Sequence, residues 1–297
     1  MFRDFRYDYS QGECMQKTVF LNGVFLPEDE AKVSIFDRGF LLADGVYEVV
    51  PVIQGKMIDV SPFLARFDHS LKALGLPWPM PQKDCLEMLE QMIEKNSLRE
   101  GGIYMQVTRG VAPRVFEFPE NLSPTFMAFS FEKSIIESKD AQKGVKVVTV
   151  EDIRWKRRDI KSIALLGQCI AKDQAVTQGA YEGWMVEEGY VTEGTSSSAY
   201  IVKDGVIITK PLSHAILPGI RRKLILEYAP KHGIKVEQRA FTPEEAYAAD
   251  EAFLSSATTM VYPIIEIDGK QIGEGKPGEI TRRLREIYLQ EALKSIS

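Results

Sequence analysis

Asp159-Ile160-Lys161-Ser162-Ile163-Ala164-Leu165-Leu166 sets one lysine in an unusually apolar run, between the basic segment Arg154 to Arg158 and a helical pattern over Leu165 to Gln178. An ammonium among apolar neighbours is partly desolvated, which favours the neutral amine, the form that attacks a carbonyl carbon to make an imine. The ordinary reading of such a residue is an amphipathic lysine whose stem lies along apolar surface. What Lys161 does therefore depends on what the rest of the chain offers it.

Downstream of Lys161, strands are predicted at Glu182 to Glu187 and Ser198 to Val202, then at Val206 to Thr209 after an Asp204-Gly205 turn. A helix is expected from Gly219 to about Lys231, followed by strands at Ile234 to Gln238 and Ala252 to Ser256, a turn at Asp268-Gly269 and a C-terminal helix marked by Ile280, Leu284, Ile287 and Tyr288. Upstream, Val145 to Val150 reads as a strand. The first half begins with a hairpin, Thr18 to Leu21 turning at Asn22-Gly23, and repeats the device with Val46 to Val52, Gln54-Gly55 and Met57 to Val60. Ser61 and Pro62 read as an N-cap and first-turn pair for a helix whose stripe is Phe63, Phe67, Leu71 and Leu74, and Pro81 to Lys95 reads as a second helix. Gly101 to Gly110 alternates in the manner of a strand, and Thr125 to Phe131 is apolar enough for a buried one. Glu132 to Lys143 is polar and poor in aromatics, which places a boundary between a small N-terminal domain, 1–136, and a larger one, 137–297. The class is mixed α/β, without regular strand-helix alternation.

Composition removes several functions. A net charge of -5, spread along 297 residues with no basic stripe, argues against a nucleic-acid partner. Met1 to Ser10 has no apolar core for a secretory signal, and no apolar run approaches a membrane span. Cys14, Cys85 and Cys169 lack paired spacing and read as reduced thiols of a cytoplasmic protein, while His69, His214 and His232 lack metal-ligand spacing. Asn121-Leu122-Ser123 matches a glycosylation sequon, but Pro124 follows it and no export signal precedes it. Gly273, Gly275 and Gly278 satisfy G-x-G-x-x-G before a helix, which would suit a nicotinamide-dependent oxidoreductase. A dinucleotide unit also needs a second parallel strand and an acidic residue about 20 residues on, and here the chain ends with that helix.

Three further segments offer anion-binding and cofactor-tuning groups. Leu217-Pro218-Gly219-Ile220-Arg221 brings free backbone N–H groups to a helix start, where geometry and dipole favour a phosphate. Ser255-Ser256-Ala257-Thr258-Thr259 supplies hydroxyls and N–H groups at a strand end, and Thr192 to Ser198 reads as a turn with the Glu193 carboxylate at its tip. Arg66 lies beside the apolar stripe of its helix. Each has a bland reading, as a cap, a turn, a solvated acidic loop or a snorkelling arginine.

Taken together, these residues resemble the fold-type IV pyridoxal-phosphate enzymes, and most closely the D-amino-acid transaminases. The likeness covers nearly the whole chain after about fifteen residues, most clearly at Asp37-Arg38-Gly39, Asp44 to Glu48, Tyr104 to Gly110, Glu151 to Ser162, Val191 to Ser197 and Ile264 to Lys270. The resemblance implies a two-domain fold with a mixed, barrel-like sheet in the larger domain. It implies that Lys161 holds pyridoxal 5'-phosphate as a Schiff base and moves the substrate proton, and that Glu193 keeps the pyridine nitrogen protonated. Arg66, the N–H groups of Ile220 and Arg221, and Ser256, Ala257 and Thr258 would hold the phosphate, with Leu217 on the ring and Ser197 beside the cofactor. Tyr47, Tyr104, Arg114 and Phe116 would face the substrate, the Arg114 loop arriving from the second subunit of a homodimer. Where the D-amino-acid enzymes have a histidine two positions after that arginine, this chain has Phe116; where branched-chain enzymes have a tyrosine four positions after the lysine, it has Leu165. The implied reaction is amino transfer between a D-amino acid such as D-alanine and a 2-oxo acid, 2-oxoglutarate or pyruvate. The alternatives are a branched-chain transaminase, an R-selective amine transaminase and a 4-amino-4-deoxychorismate lyase.

Overall fold

A computed structural model describes residues 17–296, so Cys14 lies outside the described residues. The first hairpin pairs β1 (Thr18–Leu21) with β2 (Val24–Pro27), and Asn22 and Gly23 both take positive φ in its two-residue turn. A short helix α1 (Arg38–Leu42), capped by the Asp37 carboxylate, leads into β3 (Gly45–Ile53) and β4 (Lys56–Met57). Then come α2 (Val60–Ala73), α3 (Gln82–Lys95), β5 (Gly101–Thr108) and β6 (Thr125–Glu132). These strands form one antiparallel sheet, ordered β2-β1-β6-β5-β3-β4. The alternation in β5 has its expected result: Ile103, Met105 and Val107 are buried against Phe63, Phe67, Leu89 and Met92, while Tyr104 and Gln106 face the other side.

After α4 (Lys139–Lys143), the chain runs through β7 (Val145–Glu151), α5 (Leu166–Thr177), β8 (Glu182–Glu187), β9 (Tyr190–Gly194), β10 (Ser198–Lys203) and β11 (Val206–Thr209). It continues through α6 (Ile220–Lys231), β12 (Lys235–Gln238), α7 (Pro243–Tyr247), β13 (Glu251–Ser255), β14 (Tyr262–Ile267), β15 (Lys270–Gln271) and α8 (Glu279–Lys294). These nine strands form a second, mixed sheet, with the path β12-β11-β10-β13-β14-β7-β8-β9 and β15 on β14, and it curls into a half barrel. The cores are not sealed from each other. Ile160 and Ile220 pack into the core of the first sheet, and Ile53 and Ile58 pack with Tyr200, Phe253 and Tyr288 of the second.

Four local expectations fail. The predicted N-cap Ser61 lies inside α2, which starts at Val60 after Asp59, and the predicted strand Met57 to Val60 stops at Met57. Asp59 holds a positive φ and uses its carboxylate for the Arg221 guanidinium and the Tyr288 hydroxyl, not for capping. Glu193 is not at a turn tip: it sits in β9, 5% exposed. Strands β14 and β15 and helix α7 were not expected. Pro263 interrupts the apolar run of β14, and prolines seldom sit within sheets, so the sequence hides that strand.

Candidate active site

The segment around Lys161 is tied down on both sides. Its backbone N–H donates to Ser70 Oγ on α2, and its carbonyl accepts from Tyr47 N on β3 at 3.0 Å. Ser162 bridges Val46, and Ile163 N donates to the Gly45 carbonyl. The lysine thus projects from an irregular segment pinned to the first sheet, and its Nζ lies 4.2 Å from the centroid of the Tyr47 ring. A ring face attracts the ammonium without neutralising it as a carboxylate would.

This segment lines a deep cleft together with Tyr47, Arg66, Glu193, Ser197, Leu217, Ile220, Arg221, Ser256, Ala257 and Thr258. At one end, Glu193 Oε1 accepts from Arg154 Nη1 at 2.6 Å, and both Glu193 oxygens receive the Leu217 N–H, at 3.2 and 3.1 Å. Burial pushes the Glu193 carboxyl up, and the charge of Arg154 pulls it back only in part. Arg154 also grips Asp152, which accepts from Thr192 and lies 3.2 Å from Arg158. Burial pushes the Asp152 carboxyl up too, but hydrogen bonds and charge from Arg154, with Thr192 and Arg158, more than offset it and hold the group below the usual carboxylate range. Glu193 Oε2 has no partner but the Leu217 amide among the described residues, so it can accept a further proton donor in the cleft.

At the other end, α6 begins after Gly219 with no side-chain cap, and no described acceptor takes the Ile220 or Arg221 amide. A methyl group on Gly219 would stand 2.7 Å from Ser198 Oγ, so the close approach of helix and strand requires glycine. Beside it, Ser256 N donates to Thr259 Oγ1 at 2.9 Å, closing the Ser256 to Thr259 turn. Arg66 forms a two-pronged pair with the fully buried Glu48, at 2.7 and 2.8 Å, and reaches the Pro218 carbonyl at 3.3 Å. The Arg221 side chain turns to Asp59 and Tyr288 and keeps a buried Nε without a partner.

The amino-transferase class IV model matches residues 45–267. A D-alanine aminotransferase of Staphylococcus haemolyticus is 41% identical over 271 residues, covering 90% of this chain and 95% of that one. Its counterpart in Bacillus licheniformis is 37% identical, covering 94% and 99%. The chain belongs to the class IV aminotransferases. Among solved structures, a branched-chain aminotransferase from the thermophilic archaeon Thermoproteus uzoniensis, with norvaline, is similar at TM-score 0.81 and 26% identity, covering 94% of this chain and 95% of that one.

As a class IV aminotransferase, the chain is a pyridoxal-phosphate enzyme, and the cleft fits that cofactor. It offers unclaimed helix-start amides for a phosphate, a carboxylate for a ring nitrogen, and a lysine with no described carboxylate partner, all lining the same cleft. The glycine pattern at 273–278 offers nothing comparable. Glu251 Oε1 and Oε2 accept the N–H groups of Ile280 and Thr281, and Oε2 accepts the Thr281 hydroxyl as well. The protein's own carboxylate fills the position a dinucleotide phosphate would need. Among the described residues there is no group of three potential metal ligands and no helix long and apolar enough to cross a membrane.

Three sequence candidates of this aminotransferase stand apart from the cleft within one chain. Tyr104 does not line it but stacks between Tyr47 and Phe129, at 5.4 and 5.0 Å, and so supports Tyr47 from behind. Arg114 and Phe116 are exposed on a loop, with the guanidinium carbon 5.5 Å from the Phe116 ring centroid. That loop is braced from beneath: Arg38 Nη1 donates to the Val115 carbonyl at 2.6 Å, Arg109 lies 3.8 Å from the Phe118 ring centroid, and the buried Asp44 holds both arginines. Arg154 and Gln168 line the cleft but were not foreseen. Arg154 was read only as part of a basic segment, although an aspartate two residues before it is a signal for a local pair. Gln168, on α5, keeps a buried Oε1 without a partner, and nothing in its sequence neighbourhood marks it.

Proposed function

We propose that this aminotransferase moves an amino group between a D-amino acid such as D-alanine and a 2-oxo acid such as pyruvate or 2-oxoglutarate, working as a cytoplasmic homodimer built from a small domain, 1–136, and a larger one, 137–297. The observation that carries the reading is one cleft lined by Lys161, which has no carboxylate partner among the described residues, by Glu193 and by the uncapped start of α6. The D-alanine aminotransferases at 37–42% identity support the choice of donor.

Pyridoxal phosphate, when bound, supplies a carbonyl for the amine and an electron-withdrawing ring that stabilises charge on the substrate carbon. Lys161 would provide the amine that holds the cofactor and, once freed by substrate, the base that holds and moves the proton of the substrate's α carbon. Glu193, anchored by Arg154 and the Leu217 amide, would keep the ring nitrogen protonated. Arg66, the Ile220 and Arg221 amides and the Ser256 to Thr258 turn would hold the phosphate, with Leu217 and Ser197 beside the cofactor. Tyr47 orients the substrate with Tyr104 behind it.

The carboxylate trap lies on the Arg114 loop, which stands exposed in one chain beside Ile35, Phe36, Phe40 and Val111, an apolar surface suited to a second copy. Arg114 supplies a planar, two-pronged donor to the cleft of that copy, and Phe116 gives the trap an apolar edge. The branched-chain reading draws on the similarity to the Thermoproteus uzoniensis structure and on that phenylalanine.

Half-reactions with D-alanine, L-leucine and an R-amine separate these readings. The D-alanine reaction is expected to convert the enzyme's visible absorbance fully, and Lys161→Ala is expected to abolish borohydride-fixable attachment of the cofactor. Conversion by L-leucine alone would overturn the D-specific reading.

A further inference from the structure

Six cationic side chains line the cleft: Arg66, Lys133, Arg154, Arg158, Lys161 and Arg221. The four arginines are committed to carboxylates, Arg66 to Glu48, Arg154 to Asp152 and Glu193, Arg158 to Glu187, and Arg221 to Asp59. Lys161 is assigned to the cofactor. Lys133 remains, with no described carboxylate within ion-pair distance and no described hydrogen-bond acceptor for its ammonium.

Lys133 follows directly on β6, where its backbone N–H is fixed to the Glu100 carbonyl, so its stem leaves from an anchored point. Half-buried, it is pushed down from the ordinary lysine range chiefly by burial, with Asp140 and Glu182 pulling it back up from beyond contact and Lys172 adding to the depression. An unpaired ammonium in such a place carries a desolvation cost that an arriving anion would relieve.

The neighbouring wall cannot serve an anion in its place. Thr195 Oγ1, Ser196 Oγ and Ser197 Oγ all donate to the buried Glu182 carboxylate, as does Ser196 N, at 2.5 to 2.8 Å. Three hydroxyl protons that might have faced a ligand are therefore already placed. Tyr181, adjacent to Glu182, lines the same cleft, and its hydroxyl has no described partner; burial pushes it up, so it remains a donor. Lys133 and the Tyr181 hydroxyl, one cationic and one neutral, are thus donors of the same cleft without described partners, and Lys133 is the cation there that is neither paired with a described carboxylate nor assigned to the cofactor.

We propose that Lys133, assisted by the Tyr181 hydroxyl, is the specificity-determining residue that binds the second carboxylate of a dicarboxylic 2-oxo acid or of the corresponding D-amino diacid. This rests on the transaminase reading of the cleft. A five-carbon diacid whose α carbon is placed for proton transfer with Lys161 keeps a second carboxylate two methylenes further out, and that group needs a counter-charge which pyruvate does not. Lys133 is thus a selector between acceptors, not a participant in the chemistry at the α carbon.

The test uses the holoenzyme in its amino form, mixed with 2-oxoglutarate or with pyruvate, and reads the ratio of kcat/KM for the two. Lys133→Met is expected to lower the ratio by roughly 10- to 100-fold, the range for removing one member of a desolvated charge pair. Lys133→Arg is expected to restore most of it, and glutarate is expected to lose its perturbation of the cofactor's absorbance in Lys133→Met. Thermal unfolding and cofactor affinity are measured on each variant. An unchanged ratio in a folded Lys133→Met enzyme overturns the proposal, as does a loss that follows weakened cofactor binding, which would assign Lys133 to the phosphate. Failure of the wild-type enzyme with D-alanine would overturn the donor reading instead, and it is scored separately because the ratio can be read with any working donor.

Discussion

Two helices of this chain, α6 and α8, begin in nearly the same way and end up with opposite roles. Each follows a glycine N-cap in extended conformation, Gly219 at φ −60° and ψ 129° and Gly278 at φ −74° and ψ 164°, and neither glycine has a side chain to cap the helix. In both, the first-turn amides are left for an external acceptor. At α8 the acceptor is Glu251, delivered by β13. At α6 no described group fills the position, and the amides open on the cleft. A free helix start is an anion site only where the tertiary fold leaves it unfilled. The glycine spacing before α8 looks the more specific in sequence, yet that end is closed.

The comparison breaks most sharply at Arg66, the partner of the open end. Arg66→Ala removes the guanidinium proposed to hold the phosphate and strands Glu48, a carboxylate with no exposed surface. Breaking a buried pair from one side typically costs about 3–5 kcal/mol. Chemical denaturation is expected to show a loss of that size, and titration with pyridoxal phosphate a weakening of about tenfold or more. Cofactor affinity equal to wild type in the folded variant would remove Arg66 from the phosphate site.

The glycines give a milder contrast. In Gly278→Ala the new methyl overlaps the Glu251 carboxyl and must displace the cap, so stability should fall by about 1–2 kcal/mol while cofactor affinity holds. In Gly219→Ala the methyl meets Ser198 Oγ at 2.7 Å and Arg222 Cβ at 3.2 Å, which shifts the start of α6. Cofactor affinity should then fall more than stability does. Calorimetry and cofactor titration on the pair check this crossing of effects; two variants changing both quantities alike would dissolve the distinction.

The same contrast explains how much was legible in advance. Lys161, Arg66, Glu193, the helix start after Gly219 and the Ser256 to Thr259 turn could be named from sequence because each sits in a short local pattern, and the residues of those patterns meet in one cleft. The plug at α8 was not legible, since Glu251 lies 29 residues before Ile280 and only the pairing of β13 with β10 and β14 brings it there. Arg154 over Glu193, 39 residues apart, was hidden for the same reason. The unpaired state of Lys133 was hidden too, because the absence of a partner is a property of the whole cleft. In the fold, strands with clean alternation such as β5 were readable, while β14, broken by Pro263, and β9, preceding a run of polar residues, were not.

The smallest effect isolates what Glu251 contributes as an anion. Glu251→Gln keeps the length of the side chain and one carbonyl oxygen, so a single helix amide can still be capped. It removes the second acceptor, which serves both Thr281 N and Thr281 Oγ1, and replaces it with an NH2 group that repels those donors. It also removes the negative charge that complements the helix dipole, worth about 0.3–1 kcal/mol near a first turn. With the lost charge-assisted hydrogen bond, the expected cost is about 1–2 kcal/mol by denaturant unfolding. Inorganic phosphate then provides the decisive control. If α8 were only a plugged anion site, removing the plug altogether in Glu251→Ala should create a second phosphate site, and phosphate would recover part of the stability lost in that variant. The expectation is that it does not, because what is vacated is the place of the one side chain packed directly against Gly278. Recovery by phosphate would show that the two helix starts differ only in occupancy; no recovery would show that they differ in shape as well.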